Sequence, residues 1–301
     1  MAEMPLPIMM ILRKNNNLHK KTGCIKSQHI TLLLFCILFS TQALGNVAEN
    51  RALILGSVAM DIPAEMHKRL KPLTQYLSKT LNRNVSLRLS PNMGAAIQDT
   101  ISGKVDLAYL TPVAYLRVRE KSNAQLLVKT VTKGKASFQL MIVVKQNSPI
   151  KTIQDLVGKT FAFGDKRALL QRATVAGSGF KLEHFKQIKF LGHYDNIARA
   201  VINDDFDAGI LKDTKAFKWQ NKGLRILYRS PHLPPYNITA SKNVNPELLA
   251  QLKQAFLALD SKNPKHLRII KAVDKKYNGF AATSDAEYDV VRKLIAPFSK
   301  N

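Results

Sequence analysis

The chain has 301 residues, 46% of them apolar and only two of them cysteine, enough for one large domain or two small ones without a disulfide staple. Its formal charge is +25, a surplus that attracts anions: nucleic acid, acidic envelope polymers or a small anionic solute. The basic residues are scattered, with no run of five, no zinc-finger spacing, no RNA-binding signature and no helix-turn-helix, so nucleic acid is set aside as a partner.

The N-terminus reads as an export signal. Arg13, Lys14, Lys20, Lys21 and Lys26 precede an apolar run from Ile30 to Ser40, and Ala43 and Gly45 then supply small residues at a cleavage site after Gly45. The run is about half the ~20 residues a spanning helix needs, which favours a cleaved signal over an uncleaved anchor and predicts a periplasmic location. Cys24 and Cys36 both fall within residues 1–45. The mature chain would then have no disulfide, no thiolate nucleophile and no Cys-ligated metal, and would keep 41 basic against 20 acidic residues.

In the mature chain, ALILGSVAM (52–60) reads as a buried strand. Met66, Leu70, Leu73, Leu77 and Leu81 mark an amphipathic helix, bent or restarted at Pro72. VSLRL is a strand, Met93 to Ile101 a short helix, KVDLAYLTP a strand, and PVAYLRVREK a helix opened by Pro112. AQLLVKTVT and FQLMIVVK read as two strands joined by a turn at Lys133-Gly134. A second cycle starts at Thr152, taken as a cap for IQDLVG. TFAFGD, a helix, QIKFLG, DNIARAVIND, FDAGIL, AFKWQNKG and LRILYRS follow, so strand and helix alternate in both halves. PHLPP interrupts, YNITAS reads as a returning strand, Asn245-Pro246-Glu247 opens a strong helix, and two helices, near 264–273 and 285–294, close the chain.

Two α/β units with a late return of the chain predict two lobes and a cleft, with ligands beyond the carboxyl ends of the strands. Four such ends stand out: Met60-Asp61, Leu110-Thr111-Pro112, Gly164 to Arg167, and Gly192 to Asp195. A glycine turn feeding a helix, as in AFGDKRALLQRA (162–173), presents unpaired amides at the positive end of a helix dipole, which suits an anion.

GKVDLAYLTPVAYL, IKTIQDLVGKTFAFGD, GHYDNIARAVINDDFDAGILK and SPHLPPYNITASKNVNPELLAQLKQAFLAL together resemble, in order and spacing from about 53 to 259, the phosphate/phosphite/phosphonate-type periplasmic solute-binding proteins of ABC transporters. The resemblance implies an α/β, two-lobed type II periplasmic binding protein fold, each lobe a mostly parallel sheet flanked by helices. It implies a signal peptide at 1–45, a first lobe at 46–140 and 240–301, a second at 147–233, and hinge strands at 141–146 and 234–239. It also implies capture of a small anionic or zwitterionic solute (phosphonate, phosphite, phosphate ester or similar) by lobe closure, and delivery to a membrane permease by a monomer. The alternative is a sensory or adaptor module of the same fold signalling to a membrane partner.

The same resemblance places the oxyanion at the helix after AFGD, held by a Ser/Thr-rich segment with help from a later histidine and first-lobe aromatics. Here that segment maps onto Arg167, Ala168 and Leu169, beside Asp165 and Lys166, so hydroxyl donors worth about 0.5–1.5 kcal/mol each are missing. Lys166 or Arg167 could replace them with charge-assisted bonds. The family's histidine-aspartate pair maps onto Tyr194-Asp195, with His193 one place early. Tyr109 and Tyr115 stand in the first-lobe aromatic block, and Met60-Asp61 where an aromatic is common.

Each position also has a structural reading. Tyr109 alternates with Leu107 as a core residue would, Thr111 could simply end its strand, Asp195 could cap its helix, and Lys166 and Arg167 could be solvated. Lys212 is a further candidate facing the cleft. An enzyme is not expected: GSG at 177–179 lacks the strand-elbow-helix context of a hydrolase serine, and the histidines show no metal-ligand spacing. No glycine-rich phosphate loop and no cofactor site is recognised.

Overall fold

The computed structural model describes residues 51–58 and 63–298. The expected signal peptide and the candidates Met60 and Asp61 lie outside the described residues.

Two sheets organise the chain. In the first, β1 (Leu53–Val58), β2 (Val85–Ser90), β3 (Leu107–Leu110), β4 (Gln125–Thr132), β10 (Asn237–Ala240) and β11 (Tyr277–Ala281) lie in the order β11-β4-β10-β3-β1-β2. The second contains β5 (Leu140–Lys145), β6 (Thr160–Phe163), β7 (Gln187–Phe190), β8 (Ala208–Lys212) and β9 (Leu224–Arg229) in the order β7-β6-β8-β5-β9. β1, β2 and β3 are mutually parallel, as are β6, β7 and β8. Each sheet also takes in one strand of opposite direction delivered by the crossing chain: β10 between β3 and β4, and β5 between β8 and β9.

Burial on both faces explains why these strands read as near-continuous apolar runs. β5 shows the logic residue by residue. Leu140, Ile142 and Val144 enter one core, with α4 (Leu169–Gly177) and α9 (Asp289–Ile295), whereas Met141 and Val143 enter the other, with α5 (Tyr194–Ile202) and α6 (Asp213–Gln220). In the first sheet, Leu107 and Tyr109 face α1 (Pro63–Thr80), α7 (Pro246–Leu257) and α8 (Pro264–Val273). Ala108 and Leu110 face α2 (Met93–Ile101) and α3 (Pro112–Lys121).

Several expectations change in detail. α1 runs through Pro72 as one helix; the Lys68 carbonyl, which loses its amide partner there, belongs to an exposed residue open to water. Thr152 does not cap the short helical turn Gln154–Leu156, which has no side-chain cap; Asp155 within it instead holds the preceding chain, accepting from the amides of Lys151 and Thr152 at 2.7 and 2.9 Å. β11, bulged between Tyr277 and Gly279, is a strand that the sequence pattern did not reveal.

The turn at Lys133-Gly134 exists, closed by reciprocal bonds between Thr132 and Lys135, but β4 and β5 do not form a hairpin. Their neighbours are in different sheets, so the chain crosses between sheets over 133–139 and returns over 231–236. The segments expected as hinge strands, 141–146 and 234–239, therefore belong largely to the sheets themselves. The two crossing segments are bonded to each other: Phe138 and Leu233 exchange both amide bonds (3.0 and 2.8 Å), and the Ser230 amide donates to Leu140 O at 2.9 Å. Of the segment 240–301 expected in the first lobe, α7, α8 and β11 lie with the six-stranded sheet, but the last helix does not lie with it alone. Val291 and Ile295 of α9 pack with Phe161 and Ala173 beneath the five-stranded sheet.

Candidate functional site

The carboxyl ends of β6, β7 and β8 lie along one edge of the five-stranded sheet. From them the chain passes through Gly164–Ala168 into α4, through Leu191–His193 into α5, and directly from Lys212 into α6. The first two turns touch: Gly192 N donates to Gly164 O at 3.1 Å. A Cβ on Gly164 would come within 2.8 Å of Gln171 Nε2 and 3.3 Å of the Gly192 carbonyl, and Gly192 has φ +74°, so both positions require glycine.

Gln171, buried in the first turn of α4, fills the space that these turns enclose. Its Oε1 accepts from Gly164 N at 2.8 Å and its Nε2 donates to the Tyr194 hydroxyl at 3.3 Å. The neighbouring amides are also paired. Arg167 N donates to Asp165 Oδ1 (2.8 Å), Ala168 N to Asp165 O (2.9 Å), Leu169 N to Arg167 O (2.9 Å) and Gln171 N to Ala168 O (3.2 Å). Of the expected row of free amides, those of Gly164 and of Arg167, Ala168 and Leu169 are thus already paired within the turn. Arg167, its side chain 86% exposed, grips Asp165 at 2.9 Å and holds that carboxyl below the usual carboxylate range; Lys166 is exposed.

Tyr194 opens α5, half-buried, and burial pushes its hydroxyl up to about 12, with Tyr236 and Asp213 adding to the rise. His193 beside it is exposed and makes no capping bond. Asp195 does not cap its own helix. It reaches to α6, pairing with Lys215 and accepting from Trp219 Nε1 at 2.8 Å, which holds it at about 2. Trp219 accordingly ties α5 to α6.

On the side of the six-stranded sheet, Tyr109 stacks on Tyr236 with centroids 5.0 Å apart and shares a hydroxyl bond with Tyr277. Burial raises all three hydroxyls, that of Tyr277 to about 12. Tyr109 therefore occupies the core position that its alternation with Leu107 allows. Thr111 caps α3, accepting from Ala114 N at 3.2 Å. Tyr115 is 1% exposed and donates its hydroxyl to Asp285, which Arg292 also holds; it is a core residue whose ring packs edge-on against Tyr288.

Lys212 is placed differently. It ends β8 half-buried, with its ammonium 4.6 Å from the Phe138 ring centroid. Desolvation lowers its pKa, and Asp213, Lys276 and Asp274 act on it more weakly. It lines a cavity of about 340 Å³ with Lys133, Lys135, Lys218, Thr214 and Phe217, drawn from the first crossing segment and from α6. Asp213, at the same wall, is turned onto the backbone: its carboxylate accepts from Gln139 N (3.2 Å) and Thr214 N (2.6 Å). Gln171, Tyr236, Tyr277 and the lysines of the crossing segment were not candidates from sequence. Only the PHLPPYNITAS break, which marks the return crossing, pointed towards Tyr236. Among the described residues no group of three or more His, Cys, Asp or Glu could hold a metal ion, and no helix is long and apolar enough to cross a membrane.

The family model for the periplasmic substrate-binding protein of phosphonate ABC transporters matches residues 55–288. The chain belongs to this family. Phosphate-import protein PhnD of Mycolicibacterium smegmatis is 27% identical over 269 residues, covering 77% of this chain and 83% of that protein. Among solved structures, XAC2383 from Xanthomonas citri bound to chloride aligns with TM-score 0.67 and 21% identity over 81% of this chain and 96% of that one. PhnD1 from Prochlorococcus marinus in complex with methylphosphonate aligns with TM-score 0.63 and 21% identity over 83% and 99%. The fold is the α/β, two-lobed type II periplasmic binding protein fold, and the family is one of periplasmic binding proteins of ABC transporters rather than enzymes.

Proposed function

We propose that the solute is a small oxyanion-bearing molecule of the phosphonate, phosphite or phosphate-ester class. It is captured by closure of the two lobes and delivered, by a monomer exported through residues 1–45, to the importer's permease. The observation that carries this reading is the meeting of the two halves. Tyr194 and Lys212 of the five-stranded half lie within electrostatic reach of Tyr236 and Asp274 of the six-stranded half, so an anion held at the first pair also feels the field of the second. Contacts available only from both halves favour the closed state, and a ligand shifts the open-closed population by that difference.

The donors suit an oxyanion. The Tyr194 hydroxyl stays protonated at neutral pH and, accepting from Gln171, keeps its own hydrogen to donate. Lys212 supplies charge. The relatives' names support the class: one imports phosphate, one was solved with methylphosphonate, and XAC2383 was also solved bound to ATP.

A thermal-shift panel on the mature protein tests this. A ligand at one hundred times its dissociation constant adds about 2.7 kcal/mol, or roughly 5–10 °C for a chain of this size. Methylphosphonate, phosphite, glycerol 3-phosphate and sulfate should divide into binders and non-binders, with at least one phosphorus oxyanion giving such a shift. An unchanged melting temperature across all of them would end the reading.

A further inference from the structure

The cavity beside Lys212 is larger than a bare oxyanion needs, falling at the lower end of the roughly 300–1,000 Å³ typical of small-molecule sites. Its wall carries four lysines and one carboxylate. Lys218 has an acidic neighbour, Asp195, at 3.9 Å. Among the described residues, Lys133, Lys135 and Lys212 have no carboxylate within ion-pair distance. Asp213 is 8% exposed and holds two backbone amides, so it is not free to swing onto them.

A half-buried ammonium with no ion pair is costly to keep charged, and the cost is recovered when an anion enters. The aromatic ring beneath Lys212 offsets only part of it. An ammonium-bearing tail would meet like charge in this cavity, and a neutral tail would leave the lysines unmatched. A carboxylate or second phosphoryl group would pair with them by charge-assisted bonds.

We infer that the solute carries a second anionic group beside its oxyanion, and that Lys212, with Lys133 and Lys135, receives that group. The inference rests on the binding reading above and deepens it from an oxyanion to a dianion-ended organic phosphonate or phosphate. The position of Lys212 sets the preference: it ends the strand that leads into α6, with its ammonium over the Phe138 ring at the wall of the cavity.

Titration calorimetry of the mature protein with four probes tests it: methylphosphonate, 2-aminoethylphosphonate, phosphonoacetate and 3-phosphonopropionate. The tighter of the two carboxylate-tailed probes should bind at least fivefold more tightly than methylphosphonate, and 2-aminoethylphosphonate no more tightly than methylphosphonate. In Lys212→Gln, and separately in Lys135→Gln, the ratio of carboxylate-tailed to methyl probe should fall, with the larger fall at Lys212. A wild-type ratio below fivefold, or a preference for the ammonium tail, overturns the inference while leaving the binding reading standing. Absence of binding by all four probes overturns the inference, and the thermal-shift panel with phosphite and glycerol 3-phosphate then decides whether the binding reading stands. The wild-type comparison needs no variant to fold, and the ratio within each variant cancels any general loss of folded protein.

Discussion

The turn after β6 and the turn after β8 occupy neighbouring places on one edge of one sheet, and each carries a cation, yet they hold it in opposite ways. Arg167 extends into solvent with its guanidinium on Asp165, two residues away. Lys212 lies half-buried on Phe138 and, among the described residues, with no carboxylate within ion-pair distance. A pair of charges 4 Å apart is worth about 1 kcal/mol in water and about 4 kcal/mol at an effective dielectric near 20. A solvated and already paired cation thus has little left to offer an anion, whereas a desolvated and unpaired one has much. The helix dipole points the same way. A cation at a helix N-terminus is unfavourable until an anion arrives, and Lys212 directly precedes α6.

The contrast can be broken most forcibly at Asp213, which holds the β8 turn in shape. Asp213→Ala would leave the half-buried amides of Gln139 and Thr214 without their acceptor and loosen α6 from the crossing segment. We expect a loss of roughly 2–4 kcal/mol, seen as a melting temperature lower by roughly 5–10 °C. The phosphonate-induced shift should survive, because the substitution removes negative charge from the cavity wall. A variant as stable as the wild type would show that the turn is held by packing alone, and the contrast between a fixed and a free cation would lose its basis.

A smaller effect should appear at Asp195, between the two turns. Its carboxyl is held at about 2, against an ordinary value of 3.8, first by Lys215 and then by the Trp219 N–H. A carboxyl depressed on folding stabilises the fold above its unfolded value and loses that stabilisation as pH falls through the folded value. Wild type and Asp195→Asn should therefore differ in melting temperature by a constant amount from pH 7 to pH 5, and converge as pH falls from about 4 to 2. Trp219 is the chain's only tryptophan, so its fluorescence reports the same contact directly. Curves that stay parallel down to pH 2 would show that the pair contributes nothing to stability.

These residues also show what the sequence could and could not disclose. Alternation of strand and helix and the late return at YNITAS were legible, because burial on both faces writes continuous apolar runs and crossings need breaks such as PHLPP. Lys212 was legible as the residue after an apolar strand. The pairing of amides within 164–169 was not, since it depends on φ and ψ rather than on residue type. Nor was Gln171, whose helical position looks like any other until Gly164 and Gly192 bring two turns together around it. Tyr109 and Tyr115 illustrate the reverse failure. An aromatic in the expected block is the same letter whether it faces a solute or, as with Tyr115, the carboxylate of Asp285, 170 residues away in the chain. β11 escaped because Asn278 and Gly279 interrupt its apolar pattern at a bulge.

The smallest effect, and the one that isolates the contrast, is expected at Arg167. Sequence position alone makes it the natural anion ligand, first in the segment where hydroxyls would stand. Its geometry says otherwise. The guanidinium grips its near neighbour Asp165 in solvent, and exposed pairs of this kind contribute little either to folding or, once formed, to a new partner. Arg167→Ala should leave the melting temperature unmoved and change the affinity for methylphosphonate by less than about threefold. Lys212→Gln, measured beside it with phosphonoacetate, should weaken binding by more. If instead Arg167→Ala weakened binding tenfold, the guanidinium must leave Asp165 when solute arrives, and the turn after β6 would open rather than stay closed on itself. The two turns would then share the anion between them, and the division of labour drawn from their resting geometry would have to be abandoned.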